Sequence, residues 1–404
     1  MSAKQHALGS YSAELFLREY WQKKSLFIPG ALSGFENPLS AETLAGIACE
    51  DFVESRLITG STESGHWRLE HGPFDENTFT ELPQEHWTLH IQGVENYNRA
   101  VYRLFDYFRF LPTWRLDDIM VSYSPDQGSA GPHFDQYDVF LIQTQGNKRW
   151  FIGDECDAET PLLKTADGLQ LLENFDANAG YAEYIAKPGD VLYIPPGVAH
   201  YGVAEGESIT YSVGFRAPTA AELCLSLAQE LAELELGDTR YSDPDLALEQ
   251  HCGRLANEPV LRMRQLLDSV MNEVPDANRL GRFLTQPKQQ SWEVDAWQSE
   301  SDQADVENDM PPEVFHQTIA NKRRLYWSLG TRFCFTHENS HLSLYVNGEH
   351  LPCSPQQLAL IEELTSGTEI DLFESNLSEN DFLNEESLEL LYTLYVNGWI
   401  NLSG

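Results

Sequence analysis

The chain has 404 residues, 42% of them apolar and 11% aromatic, and its 26 basic and 63 acidic side chains give a formal net charge of -37 at pH 7. This length suggests two or three domains, each with its own core. Such a negative field repels nucleic acid and anionic membranes and attracts basic partners, although an acidic surface can also serve solubility alone.

The six cysteines are scattered without a CxxC pair, which favours reduced thiols in a cytosolic protein over a disulfide framework. The first residues carry charges without a continuous apolar run, so they do not resemble a signal peptide. No stretch approaches the roughly 20 apolar residues that a membrane span needs. We therefore expect a cytoplasmic protein that has no membrane partner.

The first half of the chain is rich in predicted strands. Residues 13–32 predict an amphipathic helix and then a short strand that ends at Pro29-Gly30. From about 52 to 215, short β-rich segments alternate with turn residues, among them DDIMVSYSP, YDVFLIQTQG, KRWFIG, DVLYIPP and SITYSVGFRAP. Closely spaced short strands separated by Gly and Pro favour a sandwich or a barrel.

A possible metal site is split between two of these segments. His133 and Asp135 lie two residues apart in GPHFDQYDVFLIQTQGNKRW, and alternate residues of a strand point to the same face. His200 could complete a two-histidine, one-carboxylate set, which leaves coordination positions open on a redox-active iron. The alternative is a pair of hydrogen-bonded core histidines with an aspartate that caps a turn.

The context of His200 makes the metal hypothesis more specific, because an isolated H-x-D pair arises by chance. The segment KPGDVLYIPPGVAH places Gly189-Asp190 at a tight turn, residues 191–194 in a buried strand and Pro195-Pro196-Gly197 at its end. His200 then follows at the mouth of the predicted barrel and can face inward.

A pair of cations follows the first half of this site. Lys148 and Arg149 come after the predicted Gly146-Asn147 turn, and adjacent residues of a strand face opposite ways, so one of the two points into the barrel. A buried cation is costly unless it meets an anion, and the carboxylate of a 2-oxo acid cosubstrate could be that anion. Two ordinary surface cations are the alternative.

In the second half of the chain, the spacing of the apolar residues changes from strand-like to helical. Apolar residues recur at helical spacing over about 219–285, and residues 288–312 are polar and acidic, as in a linker. Strand-like RFCFTHE and LSLYVNGEHL, two helical stretches and a terminal WINLSG then suggest a winged-helix-like domain. DNA binding is rejected because Phe333 to Gly404 contains no Lys or Arg to neutralise phosphates.

One further motif, His337 to His341, has the H-E-x-x-H spacing of zinc peptidases. That motif works only on a helix, where histidines four residues apart share a face. Here it lies between two strand-like segments, so we reject zinc hydrolysis.

Together these segments resemble the jumonji-C branch of the cupin superfamily, the Fe(II)- and 2-oxoglutarate-dependent oxygenases. Over the whole chain the domain order, beginning with FLREYWQKKSLFIPGAL, resembles the bacterial ribosomal oxygenases, which hydroxylate the β-carbon of an arginine in large-subunit ribosomal protein 16. The resemblance implies an α+β protein with a double-stranded β-helix core. It implies an oxygenase domain over 1–216, a helical dimerisation segment with an acidic linker over 217–312, and a winged-helix-like domain over 313–404.

The resemblance also assigns roles to single residues. His133, Asp135 and His200 match the iron ligands, and O₂ and 2-oxoglutarate would be the cosubstrates. Lys148 falls where the family places the cation for the distal carboxylate of 2-oxoglutarate. The bacterial arginine hydroxylases have arginine there, and a lysine offers a point charge in place of a bidentate guanidinium. Ser122 matches a polar cosubstrate-site position. For the substrate, the candidates are Tyr137, on the inward face, and Asp138, for gripping a guanidinium although strand alternation points it outward.

Other functions stay open at this point. A different basic protein could be the target of a jumonji-type hydroxylase or demethylase, and a metal-binding cupin could serve as a non-catalytic interaction module. A sugar-type cupin isomerase would leave Lys148 and the C-terminal domains without a role. The helical segment is expected to form a homodimer interface, with simple packing against the barrel as the alternative.

Overall fold

The computed structural model of the chain describes residues 6–165, 168–177, 180–233, 235–246, 253–273, 276–287, 310–322, 324–338, 340–372 and 377–402. The chain divides into two compact units. The first comprises Met1–Ala217, Pro287–Thr331 and Gln356–Gly404, and the second comprises Pro218–Gln286 and Arg332–Pro355. Most of the predicted linker at 288–312 falls at 288–309, outside the described residues, as does Cys252.

The described helices and strands are each numbered in chain order. The helices are α1 (Ala13–Glu19), α2 (Ala41–Ile47), α3 (Glu76–Glu81), α4 (Arg99–Tyr102), α5 (Ala220–Glu233), α6 (Asn257–Glu273), α7 (Asp276–Thr285), α8 (Pro312–Lys322), α9 (Leu358–Leu364), α10 (Glu379–Leu383) and α11 (Glu385–Val396). The strands are β1 (Leu26–Ile28), β2 (Ser55–Gly60), β3 (Trp67–His71), β4 (Trp87–Ile91), β5 (Leu116–Ser124), β6 (Asp138–Glu155), β7 (Leu162–Lys164), β8 (Gln170–Leu172), β9 (Ala182–Ala186), β10 (Val191–Ile194), β11 (Val198–Phe215), β12 (Arg324–Trp327), β13 (Phe333–Glu338), β14 (His341–Val346), β15 (Glu349–Cys353), β16 (Glu369–Asp371) and β17 (Ile400–Leu402).

An antiparallel sheet is the centre of the first unit. Its strand order is β1-β10-β6-β11-β5-β4-β2-β3, and β9 pairs with β6 at one side. The predicted helix and short strand near the start are confirmed as α1 and β1. Ser12 begins α1, because its hydroxyl accepts a hydrogen bond from the Leu15 N–H at 3.2 Å and so satisfies an otherwise unpaired helix donor.

Two long strands carry most of this sheet. β6 and β11 each have 18 residues and pair with each other along nearly their whole length. The predicted turn at Gly146-Asn147 is wrong, because the strand continues through it. Gly146 has a φ of 63°, and a Cβ there would lie 1.8 Å from the Glu207 carbonyl oxygen. A glycine is therefore required at this irregularity, where the β6–β11 register shifts between Glu205 and Ile209.

Aromatic side chains attach the N-terminal helix to the sheet. Phe16 of α1 lies 4.9 Å from the Tyr193 ring centroid, and Phe140 lies 4.8 Å from Tyr193 and 5.0 Å from Phe108. All four rings are fully buried. Edge-to-face and tilted contacts of this kind add to the burial of large apolar surfaces, so the cluster fixes α1 on the sheet.

Contacts group the C-terminal elements differently from the predicted 313–404 domain. β12, β16 and β17 form a small sheet in the first unit, where the Tyr102 hydroxyl donates to the Thr331 carbonyl at 2.7 Å and Thr368 Oγ1 to Asp106 at 2.7 Å. The separate β13-β14-β15 sheet belongs to the second unit. The predicted domain boundaries and the winged-helix-like domain therefore stay predictions.

The second unit joins its helices to the β13-β14-β15 sheet. A Cβ at Gly281 of α7 would lie 2.5 Å from the Tyr345 ring, so the absence of a side chain lets helix and strand approach. The Tyr345 hydroxyl donates to Asn278 at 2.7 Å, and Arg282 pairs with Glu230 at 3.1 Å. His337 and His341 lie on β13 and β14, not on a helix, so they lack the geometry of a zinc peptidase.

The described cysteines Cys49, Cys156, Cys224, Cys334 and Cys353 are free thiols. Among the described helices, none is both long enough and apolar enough to cross a membrane.

Candidate active site

Three side chains from two segments meet in the first unit. His133, Asp135 and His200 each offer a ligand atom, and these atoms all lie within 4.8 Å of one another. The His133 and His200 ring centroids are 4.3 Å apart, and His200 Nε2 lies 3.6 Å from Asp135 Oδ2. The structure therefore brings together the three residues that the sequence predicts as metal ligands.

Backbone hydrogen bonds set this geometry. His133 and His200 form an isolated antiparallel bridge, with N–H to carbonyl distances of 3.0 and 2.8 Å. Gly197, whose φ is 78°, donates its N–H to the Asp135 carbonyl at 2.7 Å. Asp135 is thus held by the Pro-Pro-Gly turn and does not lie on a strand, contrary to the simple alternation argument.

Both imidazoles are oriented for coordination through Nε2. The Nδ1 of His133 bonds the Gly131 carbonyl at 2.9 Å, and the Nδ1 of His200 bonds the Val198 carbonyl at 2.9 Å. An Nδ1–H that donates to a carbonyl leaves the Nε2 lone pair for a metal. Burial and the neighbouring His133 lower the pKa of His200, which keeps that ring neutral.

The donor set fits an iron ion that keeps open positions. Two imidazoles and one carboxylate would occupy one side of the ion, as in the facial arrangement of non-haem Fe(II) oxygenases. The ligand atoms face a cavity of about 250 Å³, so the remaining positions would open into space that a cosubstrate can occupy.

Strand alternation builds the walls of this cavity. Alternate residues of the central strands line it, with one shift in phase along β6: Asp118, Met120 and Ser122 on β5, Val139 and Leu141 and then Lys148 and Trp150 on β6, and Thr210, Ser212 and Gly214 on β11. The sheet therefore wraps its inner face around the metal site, as expected for a barrel.

Of the adjacent cations Lys148 and Arg149, Lys148 points into the cavity. Its side chain is buried, its ammonium lies 5.4 Å from the centroid of the Trp150 ring, and burial lowers its pKa to about 8. Among the described residues, no carboxylate forms an ion pair with it. Arg149 faces the other way and pairs with Glu183 and Glu205. The predicted division of the two cations is confirmed.

Ser122 and Tyr137 both line the cavity, as predicted. Ser122 is buried and its hydroxyl donates to the Thr210 carbonyl at 3.3 Å. Tyr137 is 42% exposed, so its ring lies where the cavity opens. Burial of its hydroxyl, together with Asp135 and Asp118, raises the pKa of Tyr137, so the phenol stays protonated.

Asp138 does not line the cavity, so its predicted role in gripping a guanidinium is corrected. Its carboxylate is fully buried and accepts hydrogen bonds from Tyr193 at 2.6 Å, Gln22 at 2.8 Å and Arg115 at 2.9 Å. Strand alternation turns it away from the cavity and beneath the N-terminal segment. The carboxylate therefore has a structural role, because it joins three separate segments by hydrogen bonds.

Several polar residues of the cavity are not expected from the sequence, among them Asp118 and His90. Asp118 lies two strand positions from Met120 and four from Ser122, so alternation from Ser122 could have found it. His90 lies on β4 opposite Ser122, and only the pairing register, which the sequence does not provide, places it in the cavity.

Comparison with known proteins identifies relatives of this chain. Residues 103–223 match the JmjC domain family. Ribosomal protein uL16 3-hydroxylase of Escherichia coli (strain K12) is 36% identical over 274 residues, covering 68% of this chain and 71% of that protein. A probable ribosomal oxygenase of Haemophilus influenzae (strain ATCC 51907 / DSM 11121 / KW20 / Rd) is 31% identical over 401 residues, covering 96% and 94%. The structure of the Escherichia coli ribosomal oxygenase YcfD in complex with cobalt and 2-oxoglutarate matches with a TM-score of 0.78 at 30% identity, over 98% of this chain and 99% of that one.

Proposed function

The chain belongs to the jumonji-C ribosomal oxygenases, and from that premise we propose that it is an Fe(II)- and 2-oxoglutarate-dependent hydroxylase of ribosomal protein uL16. The target would be the β-carbon of an arginine side chain, which corresponds to 3-hydroxylation. The proposal assigns to this chain the activity for which its relatives are named.

One observation carries the proposal. The Nε2-directed His133, Asp135 and His200 set lies at the wall of the same cavity that holds the buried Lys148 ammonium. A buried ammonium without a carboxylate is costly, and the site therefore favours an anionic ligand. A 2-oxo dicarboxylate has one end that suits the metal and another that suits Lys148.

Each residue has a distinct task in this scheme. His133, Asp135 and His200 would hold Fe(II), which together with O₂ and 2-oxoglutarate supplies the oxidising power to convert a C–H bond into C–OH, with succinate and CO₂ as co-products. Lys148 and Ser122 would orient the distal end of 2-oxoglutarate. Burial of these polar groups in a narrow cavity keeps bulk water from the reacting atoms.

Substrate recognition would use the open end of the cavity. Asp118 replaces Asp138 as the candidate partner of the arginine guanidinium. A Cβ on Gly214 would lie 3.0 Å from Asp118 Oδ1 and 3.9 Å from the Tyr137 ring, so glycine keeps this corner open. The Tyr137 ring offers an apolar face for the guanidinium plane, and Asp118 offers the charge.

We propose a homodimer built through the second unit. α6 exposes Val260, Met263, Leu267 and Met271, which recur at helical spacing and are 46–63% exposed. An apolar stripe of this kind on a solvent-exposed helix marks an interaction surface. We place the protein in the cytoplasm, because ribosomal protein substrates are made there.

The test of the proposed activity uses a uL16 peptide and the intact enzyme. Succinate should form in proportion to peptide that gains one oxygen atom, and both products should vanish in His133→Ala and Asp135→Ala. A demethylase would release formaldehyde without leaving an added oxygen on the peptide, and a binding module would hold the peptide without succinate. Tight binding of the peptide with no turnover by wild type would reject the oxygenase.

A further inference from the structure

We propose that His90 donates a hydrogen bond to the distal carboxylate of the cosubstrate beside Lys148, so that a lysine–histidine pair does what a single arginine fork would do. The inference rests on the proposed function, because it concerns how the same cavity holds 2-oxoglutarate. It gives His90 the role of a cosubstrate-binding residue, although no metal-ligand or sequence motif includes it.

The pairing register places His90 in a row of polar side chains. Arg56 of β2 is paired with His90 of β4, His90 with Ser122 of β5, and Ser122 with Thr210 of β11. Cross-strand partners project to the same face of a sheet, and all four residues line the cavity. Thr210 is in turn paired with Gln143 of β6, the strand that also carries Lys148.

The ionisation of His90 suits a hydrogen-bond donor. Burial, reinforced by Arg56 and Lys148, holds the pKa of His90 well below its ordinary value, so the ring is neutral and carries one N–H. His90 and Lys148 line the same cavity of about 250 Å³, so one bound carboxylate could meet both side chains. A neutral donor can join Lys148 around one anion without adding a second buried charge.

The chemistry of the carboxylate calls for this second donor. A carboxylate has two oxygens, and the ammonium of Lys148 is a compact point charge without the planar fork of arginine. Arg56, the other cation of the row, donates to Gln92 Oε1 at 2.9 Å, so part of its guanidinium is already engaged. His90 therefore offers the N–H that can bind the second oxygen.

Calorimetric titration of 2-oxoglutarate into the Co(II)-loaded enzyme tests the proposal without turnover. His90→Leu removes the donor and should weaken binding by about 10- to 100-fold, the range for a hydrogen bond to a charged group. His90→Gln keeps an N–H donor and should lose less. Unchanged 2-oxoglutarate affinity in His90→Leu would overturn the proposal and leave the oxygenase function intact.

A second ligand separates a binding role from a structural one. 2-Oxopentanoate has the same metal-binding end and chain length but lacks the distal carboxylate, so its affinity should be the same for wild type and His90→Leu. An equal loss for both ligands would overturn the proposal, since the defect would then lie in the metal end or the fold. Wild type that binds neither ligand would reject the proposed function itself.

Rescue by an arginine is the most specific outcome. The double variant His90→Leu/Lys148→Arg replaces two separate donors with one fork, and its affinity for 2-oxoglutarate should return to within about threefold of wild type. A double variant as weak as His90→Leu would contradict the idea that the pair substitutes for a fork.

Discussion

Lys148 shows how one side chain links burial to cosubstrate choice. Its ammonium is buried, lies over the Trp150 ring and has no carboxylate partner among the described residues. The cost of burying that charge lowers the pKa of Lys148 to about 8. A bound carboxylate would remove this cost, so the residue favours dicarboxylates over ligands with one acidic group.

The same residue predicts a pH dependence of cosubstrate affinity. The charged ammonium binds the carboxylate, so affinity is full below pH 8 and should fall roughly tenfold per pH unit above it, as the free enzyme loses this proton. Calorimetric titration of 2-oxoglutarate from pH 7 to 9.5 measures the effect. Lys148→Arg stays charged throughout and should flatten the profile; the same decline in both proteins would assign it to another group.

Asp118 and Asp138 give a matched pair of variants. The sequence suggests Asp138 as the substrate-binding residue, whereas the structure places Asp118 in the cavity. Asp118→Asn should raise the KM for a uL16 peptide by at least about tenfold, because a charge-assisted hydrogen bond is lost. Its loss of thermal stability should be smaller than that of Asp138→Asn, because the asparagine oxygen can still accept the hydrogen bond from Gln92. Asp138→Asn should instead lower the free energy of unfolding by about 3 kcal/mol, because it removes a fully buried carboxylate and leaves the partly buried Arg115 without its counter-charge.

Peptide kinetics and thermal unfolding of both aspartate variants provide the check. A larger KM effect from Asp138→Asn than from Asp118→Asn, with both proteins folded, would reverse the two assigned roles.

The sequence predicts those site residues that can be recognised from their spacing along the chain. Gly189 and Gly197 lie at fixed distances from His200, so the metal set can be recognised, and alternation correctly separates Lys148 from Arg149. Asp138 could not be assigned, because its partners come from segments more than 20 residues away that only the fold brings to it. His90 depends on a strand register in the same way.

At the scale of elements, the jumonji-C cupin fold expected from the sequence is confirmed, while the lengths of its strands are not. The β-rich runs on either side of Gly146 look like two strands, because glycine followed by asparagine is a common turn. They form the single strand β6, which bends where Gly146 approaches the Glu207 backbone. Long-range pairing with β11 overrides the local turn signal, and no local pattern contains that information.

The helical element yields a prediction about association. Leu267→Glu places a charge in the middle of the apolar stripe of α6 and should convert the proposed dimer to monomer at micromolar concentration. Ser269→Glu adds the same charge to the opposite side of α6 and should leave the dimer intact. Light scattering over a dilution series measures the molar mass of each protein in solution. A wild-type protein that is monomeric at all concentrations would refute the dimer.

Over the whole molecule, the net charge of -37 suits a basic substrate. Long-range attraction raises the rate of encounter between opposite charges and is screened by salt within about 10 Å at 0.1 M. We therefore expect kcat/KM for a basic uL16 substrate to fall several-fold between 50 and 300 mM salt, while the affinity for 2-oxoglutarate changes less. If kcat/KM for an uncharged variant of the substrate fell with salt to the same extent, the acidic surface would have no role in substrate capture.

The mass of uL16 in cells of the source organism shows whether this protein hydroxylates it. In a strain that lacks this protein, uL16 should be lighter by one oxygen atom on one arginine, and wild-type protein should restore the mass while His133→Ala should not. A uL16 of identical mass with and without the protein would show that uL16 is not its substrate.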